Sequence, residues 1–284
     1  MTLDPPATAV SPPRERARAS TALRMLPPGM YSGRGHVVLE RAFRVYRRSW
    51  MVIFSGFFEP LFYLFALGTG LHRLVGTVLG PGGHPISYTA FIAPALLASS
   101  AMNGAVYDST MNVFFKMKYA KLYDAMLATS MGPLDVALGE IGWALFRGGL
   151  YAAGFMVVMA LMGLMASWWA VAMLPAALLI AFAFGAVGMA VTSYMKSFQD
   201  LDLVQVAILP MFLFSGTFYS LSVYPAWLRV VVECLPLHHG IALLRGLNSG
   251  ALDLAMVGHV AYFAVMAAIG LVVTARRLDR LLLR

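Results

Sequence analysis

The chain alternates between long, uncharged apolar stretches and short segments that hold most of its charges. From Trp50 to Leu71 the only charged residue is Glu59, and from Ile86 to Tyr107 there is none. A helix needs about 20 such residues to cross the roughly 30 Å hydrocarbon core of a bilayer. Counted in this way, the pattern predicts six transmembrane helices, at about 51–71, 86–107, 136–162, 169–194, 203–220 and 255–275.

The third and fourth predicted helices share one uncharged stretch, residues 148–195. At a rise of about 1.5 Å per residue this stretch is too long for a single crossing. We expect it to turn back on itself near residues 163–168. Trp168 and Trp169 support a turn here, because tryptophan is enriched at the interface between membrane and water.

Composition agrees with an all-α integral membrane protein. Of the 284 residues 60% are hydrophobic and 12% are charged, and the mean hydropathy is +0.75. A soluble domain carries about 25% charged residues, so the composition excludes a soluble enzyme and a disordered protein. The single cysteine, Cys234, also excludes an intrachain disulfide framework.

The distribution of Lys and Arg predicts the orientation. If the N-terminus is cytoplasmic, seventeen of these residues fall in cytoplasmic segments, whereas the external segments hold only Arg73, Arg229 and Arg245. This bias is the positive-inside pattern, and it predicts that both termini are cytoplasmic. Residues 1–29 contain six prolines and no sustained apolar run, which predicts a disordered cytoplasmic tail before a membrane domain at 30–284.

Three further segments are neither spans nor simple loops. Residues 36–50 place apolar and basic side chains on opposite faces of a helix, which predicts an amphipathic helix in the membrane interface. This helix either anchors the chain to lipid or also forms one wall of a docking site. Residues 109–134 form the longest predicted cytoplasmic loop, with a short aromatic, Met-rich and basic helix. That helix either contacts another protein or lies on the bilayer surface.

The third segment lies between the last two spans. Residues 221–250 contain two apolar half-helices that are broken at Leu235-Pro236, and each is too short to cross the bilayer. Broken backbone at membrane depth must pack on protein or line a cavity. We therefore expect a re-entrant or interfacial helical hairpin on the outer face, with an ordinary external loop as the alternative.

No catalytic motif is found. None of the four lysines follows a glycine, so the chain lacks a phosphate-binding P-loop, and the HExxH, CxxC and GxSxG patterns are also absent. His238-His239 has only Cys234 and Glu233 nearby as further metal ligands, so we interpret the two histidines as a packed, hydrogen-bonded pair.

Glu59 and Arg147 lie well inside predicted spans, and such charges are functional candidates because they are costly there. Glu59 and Arg147 reach a similar depth, roughly 13–15 Å from the inner ends of their helices. We hypothesise an ion pair between them. The alternatives are that Glu59 faces a wet cavity, and that Arg147 extends to lipid headgroups or pairs with Glu140.

Four blocks of sequence follow one another in a characteristic order, YRRSWMVIFSGFFEPLFYLFALGTGL, FIAPALLASSAMNGAVYDST, FKMKYAKLYDAMLATSMGPLDVALGE and PMFLFSGTFYSLSVYPAWLRVVVECLPLHHGIALLRG. Together they resemble the ABC-2 type exporter permeases, over about residues 38–275. Within this family the chain looks most like the lipooligosaccharide and nodulation-factor exporter branch, with daunorubicin-type drug-exporter permeases as near relatives.

The resemblance implies six helices, cytoplasmic termini, an amphipathic connecting helix and a re-entrant external hairpin. It also implies two copies of a separate cytoplasmic ATPase subunit, which binds Mg-ATP, and a second permease copy or a paralogue. No cofactor is expected in this chain. The residues that match the family's coupling helix and connecting helix are Lys118, Tyr119, Lys121, Leu122, Tyr123, Asp124, Met126, Leu127, Arg41, Arg44 and Arg48.

On this basis we expect a multi-pass protein of a prokaryotic cytoplasmic membrane that exports an amphiphile, such as a drug, a lipooligosaccharide or a glycolipid. A secondary transporter or channel is the main alternative, and a membrane-embedded enzyme is the second. The residues expected to line the translocation cavity come from the first, second and fifth spans, and they are Phe57, Phe58, Phe62, Asn103, Phe212, Phe214 and Phe218.

Overall fold

The computed structural model describes residues 33–47 and 58–282, and helices make up most of this part of the chain. The predictions for the tail at 1–29, for Arg48 and Phe57, and for the first part of the first span lie outside these residues. The helices are α1 Gly35–Arg47, α2 Phe58–Gly70, α3 His72–Val75, α4 Tyr88–Tyr107, α5 Val113–Lys118, α6 Leu122–Leu127, α7 Pro133–Leu161, α8 Met173–Thr192, α9 Asp200–Phe214, α10 Ala226–Glu233, α11 Pro236–Ser249 and α12 Ala255–Leu282.

Within the described residues, four helical segments are long and apolar enough to cross a membrane, or five if the bent pair α10–α11 counts as one span. The four are Tyr88–Lys118, Pro133–Leu161, Trp168–Thr192 and Ala255–Arg280, and they correspond to the predicted second, third, fourth and sixth spans. In the described residues α2 is a shorter apolar helix. The total of six therefore stays a prediction.

The predicted fifth span is wrong in its extent. Instead of 203–220, the helix α9 covers Asp200–Phe214, which is 15 residues or about 22 Å. It ends in a turn at Ser215 and Gly216, where Gly216 has a φ of +83°. Glycine adopts this left-handed conformation without steric cost, so the apolar residues beyond it do not continue the helix.

A two-stranded antiparallel hairpin, which the hydropathy pattern did not predict, joins α3 to α4. Its strands are β1 Thr77–Leu79 and β2 Pro85–Ser87, with Val78 opposite Ile86. A 3-10 turn at Pro81–Gly83 connects them. Ser87 then caps α4 by accepting the backbone N–H of Ala90 at 3.2 Å, a common way to satisfy the first free amides of a helix.

The second span runs further than predicted, because residues 109–118 continue its helix rather than forming a loop. A π-helical turn at Asp108–Asn112 joins α4 to α5. The hydroxyl groups of Ser109 and Thr110 donate to the carbonyls of Ala105 and Val106 at 2.7 and 2.6 Å. These hydroxyl groups satisfy backbone carbonyl groups around the irregular turn. The helix therefore continues past the charged residue Asp108.

Helix α8 lies at the centre of the bundle and packs against α4, α7, α11 and α12. Small residues allow these close approaches. A Cβ added to Gly270 of α12 would lie 2.7 Å from the carbonyl carbon of Ala186 and 2.8 Å from the backbone nitrogen of Val187. Small residues at such crossings are typical of helices that associate by van der Waals contact in a membrane.

The amphipathic helix predicted before the first span is present as α1, and its position in the membrane interface stays a prediction. Its Val38 and Ala42 are buried against α7, and the ring of Tyr46 stacks on Trp143 with centroids 4.9 Å apart. Helix α7, which corresponds to the third span, begins at Pro133, three residues before the predicted 136. Part of the apolar surface of α1 is thus covered by protein, whereas Phe43 and Val45 remain exposed.

The predicted break between two half-helices is confirmed. Helices α10 and α11 meet at an angle of 84°, and Pro236 is the first residue of α11. Leu237, Ile241 and Leu244 of α11 are buried in the main core, so the alternative of an ordinary external loop is wrong. The re-entrant character of the hairpin and the cytoplasmic position of the termini stay predictions.

The contact between α8 and α12 predicts that Gly270→Ala destabilises the protein. The new methyl group overlaps the backbone of α8, and overpacking of this kind costs about 1–3 kcal/mol. The thermal unfolding midpoint of the detergent-purified protein should fall. Gly258→Ala on the same helix is the matched control, because nothing lies within 4 Å of its added Cβ. Equal midpoints for the two variants would contradict the close packing.

Candidate translocation cavity and coupling surface

A cavity of about 510 Å³ opens between α2, α4, α7 and α9. It brings together both predicted intramembrane charges, Glu59 and Arg147, with two of the predicted cavity residues, Asn103 and Phe212. Its wall mixes apolar, aromatic and uncharged polar groups. The full lining is Glu59, Pro60, Tyr63, Leu96, Ser99, Ser100, Asn103, Gly104, Tyr107, Arg147, Tyr151, Gln205, Ile208, Leu209 and Phe212.

The other predicted aromatic residues lie outside this lining. Phe58 and Phe62 share an exposed face of α2, where their rings stack at 5.8 Å. Phe218 packs against Phe212 at 5.2 Å, and Phe214 lies 6.4 Å from the ring of Tyr224. Glu59 and Tyr63, one residue further along α2, occupy the neighbouring face that meets the cavity, since residues four apart share a helical face.

The sequence interpretation missed much of the polar lining. On α4 the residues Ser99, Asn103 and Tyr107 all line the cavity, and they recur at intervals of four. This spacing places them on one side of the helix. A polar stripe within an otherwise apolar span was therefore present in the sequence, and a search by helical face rather than by residue type would have found it.

The hypothesised pair of Glu59 and Arg147 is wrong. The guanidinium of Arg147 instead donates to the carboxylate of Asp108 on the π-helical turn, and both side chains are buried. Asp108 also accepts the side-chain amide of Asn112 at 2.6 Å. Of the alternatives considered for Arg147, headgroup contact and a pair with Glu140 are also wrong, while Glu59 does face the cavity.

Glu140 forms a second ion pair, nearer the end of the bundle that carries α6. The ammonium group of Lys116 on α5 lies 2.5 Å from its carboxylate. Beside it the ring of Tyr123 on α6 is fully buried. Burial and the nearby Glu140 carboxylate raise the pKa of the Tyr123 hydroxyl well above its usual value, so this hydroxyl is neutral at physiological pH.

The predicted coupling residues divide into two groups. Tyr123 and Leu127 are buried in a cluster with residues of α7 and α12, so they anchor α6 to the bundle instead of facing outward. Leu122 and Met126 are half-buried. The exposed members are Lys118, Tyr119, Lys121 and Asp124 on and beside α6, with Arg41 and Arg44 on α1. Arg44 also makes an i,i+4 ion pair with Glu40 at 3.1 Å.

Comparison with known proteins identifies the family. Residues 35–247 match the family described as ABC-2 type transporter. This chain belongs to the ABC-2 type transporter family.

Relatives are found over most of the chain of this ABC-2 protein. It is 33% identical to nodulation protein J of Rhizobium leguminosarum bv. trifolii, over 80% of this chain and 85% of the relative. It is 34% identical to nodulation protein J of Sinorhizobium fredii, over 71% and 78%. The inner membrane transport permease YadH of Escherichia coli K12 is 26% identical, over 68% and 74%.

At the end of the bundle opposite α6, Arg245 of α11 contacts the start of α4 and the turn after α9. The Nε of Arg245 donates to the carbonyl of Phe91 at 3.1 Å, and another of its nitrogens donates to the carbonyl of Thr217 at 3.2 Å. Its guanidinium lies 3.6 Å from the centroid of the Phe91 ring. The hairpin is thereby fixed both to the start of α4 and to the turn after α9.

The predicted histidine pair is packed in the same region. Nδ1 of His238 lies 3.4 Å from the carbonyl oxygen of Ser215. Nδ1 of His239 lies 2.9 Å from Nδ1 of His259 on α12, and its ring stacks on Tyr262 with centroids 4.2 Å apart. These contacts hold α11 to the last span.

The pair of Arg147 and Asp108 predicts a specific pattern of stability. Arg147→Met or Asp108→Leu leaves one buried charge without its partner, which costs about 3–5 kcal/mol, whereas replacing both residues is often nearly neutral. Unfolding by sodium dodecyl sulfate should therefore give a double variant more stable than the sum of the single changes implies. Glu59→Gln is the control. If it destabilises the protein as much as Asp108→Leu does, the assigned partner of Arg147 is incorrect.

Proposed function

We propose that this chain is the membrane permease of an ATP-driven exporter that moves an amphiphilic substrate outward across the cytoplasmic membrane. In this proposal a separate cytoplasmic subunit binds Mg-ATP and hydrolyses it, and two copies of that subunit act on a pair of permeases. Family membership supports the proposal, since ABC-2 permeases are membrane subunits of ABC transporters. The printed name of YadH, an inner membrane transport permease, supports the location.

The observation that carries the proposal is the two-sided character of α6. Its inner face, with Tyr123 and Leu127, is packed into the bundle, while Lys121 and Asp124 remain exposed. A six-residue helix with this arrangement is suited to transmit a push from a docked protein to the helices behind it. Because α6 packs on α7 and α12, any displacement of α6 must move at least these helices.

A displacement of α6 would also reach the cavity, through α5 and α4. Helix α6 follows α5 after three residues, and α5 is continuous with α4 through the π-helical turn. Both α4 and α7 line the cavity. Closure of the ATPase subunits on ATP would thus bias the bundle between two arrangements, as a ligand does when it binds one state more tightly.

The proposed orientation is supported by the position of the basic residues. Lys116 and Lys118 lie at the end of α5, Lys196 follows α8, and Arg277 stacks on Tyr194 at 4.6 Å. All of these are at the same end of the bundle as α6. A cytoplasmic position for this end satisfies the positive-inside rule and places α6 where a soluble ATPase can reach it.

The nature of the cavity supports an amphiphilic substrate. Leu96, Ile208 and Leu209 offer apolar surface, while Ser99, Ser100, Asn103 and Gln205 offer hydrogen-bonding groups. A cavity of several hundred Å³ with a few polar groups on an apolar wall is typical of sites for small organic ligands. Drugs, lipooligosaccharides and glycolipids all combine these two chemistries.

Charge reversal on the exposed face of α6 should uncouple transport without unfolding the protein. We expect Asp124→Lys to lower ATP-dependent export, in vesicles containing the permease and its co-purified ATPase, by roughly tenfold or more, the effect of about 1.4 kcal/mol of lost coupling. The thermal unfolding midpoint should stay unchanged.

Asp253→Lys, at an exposed position near the opposite end of the bundle, is the matched control and should transport normally. Two results would overturn the proposal. One is full transport by the permease alone without nucleotide, which would indicate a secondary transporter or channel. The other is the absence of any ATPase that co-purifies with this chain from its own cell.

A further inference from the structure

Glu59 is left without a counter-ion once Arg147 is assigned to Asp108. The structure gives ion pairs to Glu40, Asp108 and Glu140, and none to Glu59 within residues 33–47 and 58–282. A carboxylate inside a membrane protein is expected to face a partner or a cavity that serves a function. We propose that the cavity binds an organic cation, an apolar molecule with an ammonium-like group, and that Glu59 is its counter-ion. This inference rests on the proposed function and names the class of its substrate.

The balance of charge in the cavity supports a cation. Among the lining residues that the structure describes, two are charged, Glu59 and Arg147. The positive charge of Arg147 is already neutralised by Asp108, and its guanidinium also lies 5.9 Å from the centroid of the Tyr151 ring. The uncompensated charge is therefore negative. An anionic ligand would have to displace Asp108 from Arg147 and would meet Glu59 across the cavity.

Aromatic rings beside Glu59 add to this preference. Tyr63 follows one turn after Glu59 on α2, and its ring lies 5.8 Å from that of Phe212 on α9. Tyr107 and Tyr151 also line the cavity. The face of an aromatic ring attracts a cation through its quadrupole, and this attraction grows when water is excluded. An exposed carboxylate in a cavity that is also lined by such rings is well suited to bind an ammonium group.

An acceptor without a donor lies in the same wall. The side-chain oxygen of Asn103 is buried and has no hydrogen-bond partner within the described part of the chain. An unsatisfied buried acceptor is costly, and a ligand N–H would satisfy it. Asn103 and Glu59 both line the cavity, so a protonated amine bound there meets a charge and a hydrogen-bond acceptor together, while Leu96, Ile208 and Leu209 accept its apolar body.

Two ions of matched size and opposite charge test the proposal. Binding of tetraphenylphosphonium and of tetraphenylborate to the full-length detergent-purified protein is measured by equilibrium dialysis, with protein-free micelles as the background. Saturable binding of the cation is expected, and weaker binding of the anion. Glu59→Gln should weaken cation binding by about tenfold or more, because it removes the charge and keeps the shape. Glu59→Asp should retain most of the affinity.

Glu233→Gln changes an exposed glutamate on α10; it is the matched control and should bind the cation like the unmodified protein. The proposal is overturned by equal cation binding in Glu59→Gln, by equal or tighter binding of tetraphenylborate, or by the absence of saturable cation binding. None of these three results contradicts the proposed ATP-dependent function. Conversely, cation binding that depends on Glu59 in a protein without any ATPase partner would overturn the proposed function alone.

Discussion

The buried pair of Arg147 and Asp108 is the interaction on which the arrangement around the cavity depends. It joins α7 to the junction of α4 and α5 and fixes which face of each helix meets the cavity. Both charges are largely buried, so each requires the other, because an isolated charge in a membrane interior is expensive. Because Arg147 is paired with Asp108, Glu59 has no counter-ion within residues 33–47 and 58–282.

The π-helical turn makes this pairing possible without ending the span. Five residues from Asp108 to Asn112 form it. Hydroxyl groups from the turn itself and from α8 donate hydrogen bonds to the backbone there. Thr192 of α8 donates to the carbonyl of Ser109 at 2.9 Å, while Ser109 donates back to Ala105. π-helical turns occur frequently at functional sites. Here one lies between the cavity and α6, on the path that the proposed coupling through α6 would take.

The two ends of the bundle are held by different chemistry. Around α6 the contacts are an apolar cluster and the pair of Lys116 and Glu140. Around the hairpin they are hydrogen bonds from Arg245 to backbone carbonyls and the stacked ring of His239. In the proposed exporter, force would enter at the end that carries α6 and the substrate would leave at the other end.

The sequence by itself determined the elements that depend on local composition. The spans of α7, α8 and α12, the amphipathic helix α1 and the break before Pro236 all follow from hydropathy, helical spacing and proline, which act over neighbouring residues. Only the tertiary structure decided the partner of Arg147, the course of residues 109–118 and the aromatic side chains that reach the cavity. The physical reason is that these features depend on how each helix is rotated against its neighbours. That rotation is set by packing between residues far apart in the chain, and hydropathy does not record it.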